Sequence, residues 1–137
     1  MGKLIECVID SIRVSLTNQD RITVLKEKDA ERYLPIWMGI PETDSITIAL
    51  QGVAIARPLT HDLLISVMNA LDIRLESVEV TNLENDTFYA NLILEQNGVK
   101  KIIDSRPSDA IAIAIRVKAP IFVDEDVLDA VGIRPED

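Results

Sequence analysis

The fold is decided by the stretch Ile102-Ile103-Asp104-Ser105-Arg106-Pro107-Ser108-Asp109-Ala110, which continues as Ile111-Ala112-Ile113-Ala114-Ile115-Arg116. Residues 99–104 contain three β-branched side chains and predict a strand. Pro107 ends this strand because proline has no N–H to donate to a neighbouring strand. Ser108 is predicted as the N-cap of the helix that follows. Asp109 then lies in the first turn, where the helix dipole favours a negative charge.

The segment 110–115 alternates isoleucine and alanine, so a strand and a helix are both conceivable. Both residue types are apolar, however, and the alternation therefore marks no polar face. The four alanines between positions 110 and 119 and the capped start favour a helix. A helix that is apolar all round must be covered on more than one side, which predicts a central helix. In a chain this small a second subunit would help to cover it, so we expect a homodimer or a higher oligomer.

The remainder of the chain predicts antiparallel hairpins and separate helices. Strands are predicted over residues 4–16, 22–26, 33–38, 73–80, 87–94, 99–104 and 119–123. Further helices are predicted from Pro41 to a closing Gly52, from a capping Thr60 to Leu71, and over 124–131 with Asp124 as its cap. A turn is predicted over 82–86, and Pro35 indicates an edge strand. This order predicts a single compact α+β domain over 1–137, with mostly antiparallel sheet, three main helices and a short C-terminal helix.

The composition excludes several classes of function. The chain has 137 residues, 14 basic against 23 acidic side chains and a net charge of −9, which disfavours general nucleic-acid binding but not a local or metal-bridged site. A single cysteine, Cys7, excludes an intrachain disulfide and a cysteine-rich zinc site, and is expected to be a small buried side chain on a strand. No apolar run reaches the ~20 residues that span a bilayer, and no signal peptide is evident. We therefore expect a cytoplasmic protein with no membrane partner.

Charged side chains mark the starts of the three main helices. They are Glu42 and Asp44 at the first start, His61 and Asp62 behind Arg57 at the second, and Asp109 behind Asp104 and Arg106 at the third. Helix N-termini bind anions through their free N–H groups, and a guanidinium fits a phosphate as a two-pronged donor. Alternatively, the acids only complement the helix dipoles and pair with the arginines. The functional interpretation gains if the three starts converge, which the sequence does not decide.

Acid–base catalysis and metal binding are the two kinds of chemistry that these residues suggest. His61 is the only histidine, so a mechanism that needs two imidazoles within one subunit is excluded. Glu42, Asp62, Asp104 and Asp109 could hold a hard divalent cation, although no tight Asp-x-Asp spacing supports this. The sequence contains no glycine-rich phosphate loop, no zinc spacing and no recognisable Ser-His-Asp order.

Three stretches together resemble the bifunctional nuclease domain family. They are residues 34–39 (Leu-Pro-Ile-Trp-Met-Gly) with Glu42 downstream, residues 57–63 (Arg-Pro-Leu-Thr-His-Asp-Leu), and residues 104–112 (Asp-Ser-Arg-Pro-Ser-Asp-Ala-Ile-Ala). They occur in the family's order and spacing, and the likeness extends over residues 4–131. The resemblance implies a compact α+β domain, usually oligomeric, and the DNase and RNase activity of some family members.

The positions that match the family define the expected site. They are His61, Asp62, Asp104 and Asp109 as catalytic residues, Arg57 and Arg106 for substrate, and Glu42 with Asp104 for a metal such as Mg²⁺ or Mn²⁺. The expected function is a nuclease that hydrolyses phosphodiester bonds of DNA and RNA. The alternative is an oligomeric module without enzymatic activity that binds a small anion or a protein partner. The chain departs from the family at residues 43–45 (Thr-Asp-Ser), where the family tends to be more apolar.

Overall fold

The computed structural model describes residues 2–135 as one sheet with helices packed against it. The elements, in chain order, are β1 (Leu4–Val14), β2 (Arg21–Glu27), β3 (Tyr33–Met38), α1 (Ile40–Gln51), α2 (Thr60–Ala70), β4 (Arg74–Glu84), β5 (Thr87–Gln96), β6 (Val99–Ser105), α3 (Pro107–Val117), β7 (Ile121–Asp124) and α4 (Glu125–Val131). The strand order across the sheet is β3-β2-β1-β7-β4-β5-β6. Neighbouring strands are antiparallel except β4 and β7. The predicted α+β class, with three main helices and a short C-terminal one, is confirmed.

Local backbone chemistry sets the edges and turns of the sheet. β3, which contains Pro35, lies at one edge as predicted, and β6 lies at the other. The predicted turn over 82–86 is wrong in its extent, because β4 continues to Glu84 and pairs there with Thr87. Asn85 and Asp86 alone form the turn, both with positive φ (50° and 62°). Asn and Asp tolerate that conformation, and its twist suits a two-residue hairpin.

The central helix, α3, is covered by its own chain. It packs on β4 and β5, with α1 and α2 alongside. Its residues from Ala110 to Ala114 are at most 1% exposed, so the predicted burial on several sides is confirmed. The reason given above for an oligomer is therefore wrong, since α3 needs no second subunit to cover it. Self-association itself stays a prediction.

Two of the predicted helix caps are wrong. α3 begins at Pro107 with Arg106 as its N-cap residue, so Ser108 lies inside the first turn. Proline suits the first helical position because its φ is already helical and its missing N–H would have no partner there. α2 has Leu59 rather than Thr60 at its N-cap, and the Leu59 N–H donates to the Asp62 carboxylate at 3.0 Å. The predicted Asp124 cap of α4 is confirmed.

Apolar side chains remain exposed on α2 and β6. α2 carries a stripe of apolar side chains, of which only Met68 is buried. Leu63, Leu64 and Val67 are exposed, and so is Leu71 at the C-cap. On β6, Val99, Ile102 and Ile103 are also exposed. Cys7 is buried on β1 as expected, and burial raises the pKa of its thiol to about 12, so the thiol stays protonated. Among residues 2–135, no helix is both long and apolar enough to cross a bilayer.

Candidate active site at three helix starts

The starts of α1, α2 and α3 converge on one pocket of about 340 Å³. The residues around it come from the first three turns of α1 and from the N-cap and first turn of both α2 and α3. They are Pro41, Glu42, Asp44, Ser45, Ile48, Leu59, Thr60, His61, Arg106 and Asp109. The convergence that the sequence left open therefore exists, and it joins four of the predicted site residues: Glu42, His61, Arg106 and Asp109.

His61 lies between a serine and a carboxylate. Its Nδ1 is 2.7 Å from the Ser45 hydroxyl, and its Nε2 is 2.8 Å from Asp109 Oδ1. Arg116 Nη2 donates to the same Ser45 Oγ at 2.9 Å. A neutral imidazole with its proton on Nε2 satisfies every partner, because Ser45 then accepts from Arg116 and donates to Nδ1. Both ring nitrogens of this buried histidine are thus occupied within the protein.

Asp109 joins His61 to the exposed guanidinium of Arg106. Asp109 Oδ2 accepts from Arg106 Nε at 2.9 Å, and Arg106 Nη2 lies 3.5 Å from Glu42 Oε2. Burial alone would raise the pKa of Asp109, but hydrogen bonds from Arg106 and His61 outweigh it and hold that pKa below its usual value. The Arg106 side chain is 65% exposed, so it can bind an anion while Asp109 keeps it in place. Among the described residues that line the pocket, Arg106 is the one arginine, and no lysine is present.

Arg116 fastens the three helices together behind the pocket. Its Nε donates to Asp62 Oδ1 at 2.9 Å, its Nη1 to the Ala112 carbonyl at 2.9 Å, and its Nη2 to the carbonyl and hydroxyl oxygens of Ser45. Burial pushes the pKa of Asp62 upward, yet the hydrogen bonds from Arg116 and from the Leu59 N–H lower it overall. Both Asp62 oxygens are engaged in this way. Asp62 therefore orients α2 against α3 and does not face the pocket.

Ser45 and Arg116 belong to the site although the sequence patterns did not indicate them. Arg116 offered a signal, since it is the one charged residue in the otherwise apolar segment 110–117 and so needs a partner if buried. Ser45 gave none, because its partners are 16 and 71 positions away along the chain. Together Ser45, His61 and Asp109 form a Ser-His-Asp hydrogen-bonded series, which spacing alone did not indicate.

Besides Asp62, two predicted site residues lie outside the pocket. Arg57 is exposed on the connection between α1 and α2, and Asp104 is exposed on β6 opposite Asn91. Neither lines the pocket formed by the three helix starts. The catalytic and metal-binding roles expected for Asp104, and the substrate role expected for Arg57, stay predictions.

The carboxylates fit only a partial set of metal ligands. Within residues 2–135, no three histidine, cysteine, aspartate or glutamate side chains are placed to hold a metal together. Glu42 and Asp44 both line the pocket from the start of α1. Mg²⁺ is often held by one or two carboxylates with the remaining positions taken by water and substrate phosphate. Glu42 and Asp44 stand two positions apart on α1, and the metal-binding role expected for Glu42 stays a prediction.

Comparisons with known proteins find the bifunctional nuclease domain in the family model and in named plant relatives. The model of the bifunctional nuclease domain matches residues 23–136. An uncharacterized protein of Mycobacterium tuberculosis is 42% identical over 128 residues, covering 93% of this chain and 76% of the relative. Bifunctional nuclease 1 of Oryza sativa subsp. indica is 30% identical over 97% of this chain and 42% of its own length. Bifunctional nuclease 2 of Arabidopsis thaliana is 32% identical over 81% and 35%. This chain thus spans less than half of these plant proteins.

Proposed function

This chain belongs to the bifunctional nuclease domain family, and we propose that it hydrolyses phosphodiester bonds of DNA and RNA at the pocket formed by the three helix starts. The observation that carries the proposal is the convergence of α1, α2 and α3 around the exposed Arg106. Helix-start N–H groups and a guanidinium together favour a phosphate more than either does alone. The plant relatives named as nucleases support the same class of reaction.

In this proposal Arg106 binds the phosphate whose bond is broken. The guanidinium stabilises the negative charge that grows on the phosphoryl oxygens as water attacks. Asp109 holds the Arg106 side chain from behind, and His61 in turn holds Asp109. His61 and Asp109 therefore act as positioning residues, and Asp62 supports them through Arg116. In these roles the residues are needed to hold Arg106 in place, and His61 keeps both of its hydrogen bonds.

Glu42 is the proposed general base. Its carboxylate lines the pocket and lies 3.5 Å from Arg106, beside the phosphate position. It would accept a proton from water as the water oxygen bonds to phosphorus, and the leaving oxygen of the ribose or deoxyribose would then be protonated from the solvent. Mg²⁺ or Mn²⁺, if held by Glu42 and Asp44, would polarise the phosphate and screen the acidic surface. The net charge of −9 favours a requirement for such a metal.

One observation favours the alternative of a binding module without enzymatic activity. Both nitrogens of His61 are already bonded, and both oxygens of Asp62 are engaged, so the network also serves as a rigid support for a bound anion. A small phosphate-bearing ligand would then be held without being cleaved. The two functions differ in whether a bond breaks, which one assay measures.

The test is cleavage of end-labelled DNA and RNA oligonucleotides with Mg²⁺ or Mn²⁺ and with EDTA. We expect slow, sequence-independent cleavage that EDTA abolishes. Glu42→Gln should lower the rate by about 100-fold. Glu76→Gln is the matched control, since Glu76 is also a half-buried glutamate near an arginine but lies outside the pocket. His61→Ala and Asp104→Asn, purified in parallel, test the remaining predicted residues.

The outcome decides between the two functions. Equal cleavage by wild type and Glu42→Gln would mean that the activity comes from a contaminant or from another site. Saturable binding of inorganic phosphate without any cleavage would favour the binding module.

A further inference from the structure

Trp37 is an aromatic side chain that the proposed function does not use. It is the only tryptophan in the chain, and it is 61% exposed on the edge strand β3. Its neighbour Ile36 points into the core and is 2% exposed, so the alternation of the strand turns the indole outward. A large exposed aromatic surface often marks a recognition site, because an indole offers apolar contact area at little entropic cost.

A small groove connects Trp37 with the proposed active site. The groove has a volume of about 220 Å³, and its walls include Trp37, Phe88 and Arg106. Arg106 also lines the pocket where the helix starts meet. The exposed indole and the proposed phosphate site therefore share one guanidinium. Asp86 also lines this groove, and its negative charge makes the groove unsuited to a second phosphate.

We propose that Trp37 stacks against a base of single-stranded nucleic acid while a phosphate of the same strand binds Arg106. The proposal rests on the proposed function. A base in a duplex is stacked on both faces, whereas an unpaired base can offer one face to an aromatic side chain. Stacking needs no positive charge, so it supplies affinity on a surface whose net charge is −9. Single-stranded DNA or RNA is thus the preferred substrate class.

The experiment uses Trp37 as its own reporter. The intact protein is titrated in EDTA, so that nothing is cleaved, with short oligothymidylate and with a duplex of the same length. We expect the single strand to quench the fluorescence of the sole tryptophan and the duplex to leave it largely unchanged. In parallel, fluorescence anisotropy of labelled oligothymidylate should show that Trp37→Ala weakens binding by roughly tenfold or more, while Trp37→Phe retains most of it. Tyr89→Ala, which removes another exposed aromatic side chain, is the matched control and should have no effect.

The outcomes separate this inference from the proposed function. No quenching by the single strand, or equal losses in Trp37→Ala and Tyr89→Ala, overturns the stacking site even if the protein cleaves DNA. If the single strand quenches Trp37 but the protein cleaves nothing when metal is added, the stacking site stands and the proposed nuclease activity is contradicted. A change in sedimentation of Trp37→Ala without a change in binding would mean that another copy covers the indole, and would also overturn the site.

A second, independent observation concerns the opposite edge of the sheet. β6 pairs with β5 on one side and with no strand of the described residues on the other. Residues 99–104 are all exposed, and among them Val99, Ile102 and Ile103 are β-branched and apolar. The backbone groups that point away from β5 can accept another strand. Lys100 and Asp104 stand on this strand four positions apart.

The charges on β6 select one way for two copies to pair. When two identical antiparallel strands pair, two facing residues either both point their backbone N–H and C=O groups towards the partner strand or both point them away from it. The numbers of two facing residues must therefore add to an even sum. Pairing centred on Ile102 places each Lys100 opposite an Asp104 of the other copy. Pairing centred on Lys101 would set two lysines against each other. Pairing centred on Ile103 would set Ile102 against Asp104.

We propose that a second copy of this chain binds β6 in antiparallel fashion, with the two-fold axis at Ile102. The sheet then continues through both copies, and two Lys100–Asp104 pairs flank the axis. The end of α2 lies beside the turn that joins β5 and β6, since Gln96 Nε2 donates to the Leu71 carbonyl at 2.9 Å.

Cysteine cross-linking tests the register. Ile102→Cys should form a disulfide-linked dimer under mild oxidation, because residue 102 faces itself across the axis. Ile103→Cys is the matched control and should cross-link far less, and the buried Cys7 does not interfere. In sedimentation, Lys100→Asp or Asp104→Lys alone should weaken the dimer, and the double exchange should restore it. A monomer at micromolar concentration, or equal cross-linking of both cysteine variants, overturns the proposal.

Discussion

α3 and α2 are helices of equal length, 11 residues each, but they differ in how far their apolar side chains are buried. In α3 the apolar residues from Ala110 to Ala114 are at most 1% exposed, whereas three apolar side chains of α2 and its C-cap Leu71 are 40–56% exposed. The alanines of α3 allow the sheet, α1 and α2 to approach closely, and its isoleucines fill the space between them. α2 meets the rest of the molecule mainly at its start, through His61, and at Met68. An apolar stripe therefore predicts a helix, but not that the chain itself covers the stripe.

The largest effect should come from matched truncations in the two helices. Ile111→Ala in α3 removes a side chain that is 0% exposed and leaves a cavity, which should lower the free energy of unfolding by about 2–5 kcal/mol. Leu63→Ala in α2 removes one that is 56% exposed and should cost no more than about 0.5 kcal/mol. Urea unfolding of both variants measures the difference. Similar losses would show that α2 is covered in solution, for example by a second copy.

The next effect distinguishes the start of α3 from an ordinary acidic helix start. Asp109→Asn weakens charged hydrogen bonds to His61 and Arg106, and should cost about 1.5–3 kcal/mol. A first-turn acid that only complements the dipole contributes about 0.3–1 kcal/mol. Asp126→Asn at the exposed start of α4 is the matched control for that smaller value. Thermal melts of the two variants measure the loss of stability. Equal shifts of the melting temperature would mean that the hydrogen bonds of Asp109 add nothing beyond the helix-dipole effect.

How far the sequence predicts this molecule follows from the range of the interactions. Strands, helices and the Asp124 cap depend on neighbouring residues, and alternation, turn residues and capping chemistry predicted them. The predicted cap of α2, Thr60, is one residue too late, and that of α3, Ser108, is two residues too late. Proline at the first helical position of α3 and the reach of Asp62 in α2 compete with an ordinary hydroxyl cap. The site depends on how α1 and α2 pack around α3, which no local pattern encodes. Ser45 and Arg116 were missed for that reason.

A smaller effect is expected in the pH dependence of stability. The pKa values of Asp109 and Asp62 lie below those of the unfolded chain, so the unfolded state binds more protons in acid. Their contribution is fully present above the unfolded pKa of about 4 and is lost as the pH falls through the lower folded values. The free energy of unfolding should therefore fall below about pH 4, and less steeply in Asp109→Asn than in wild type. Parallel slopes for the two proteins would contradict the assignment.

The proposed role of Arg106 is tested most directly by comparing it with Arg57, because a proline follows each of these arginines close to the start of a helix. Arg106 lines the pocket at the three helix starts, whereas Arg57 is exposed outside it. The measurement is the rate constant for cleavage of a labelled single-stranded oligonucleotide by Arg106→Gln and Arg57→Gln, purified alongside wild type. We expect the rate constant to fall by about 100-fold in Arg106→Gln, because one charge-stabilising donor is removed, and by less than about threefold in Arg57→Gln. Cleavage by Arg106→Gln at the wild-type rate, or an equal loss of rate in Arg57→Gln, would contradict the proposed role of Arg106.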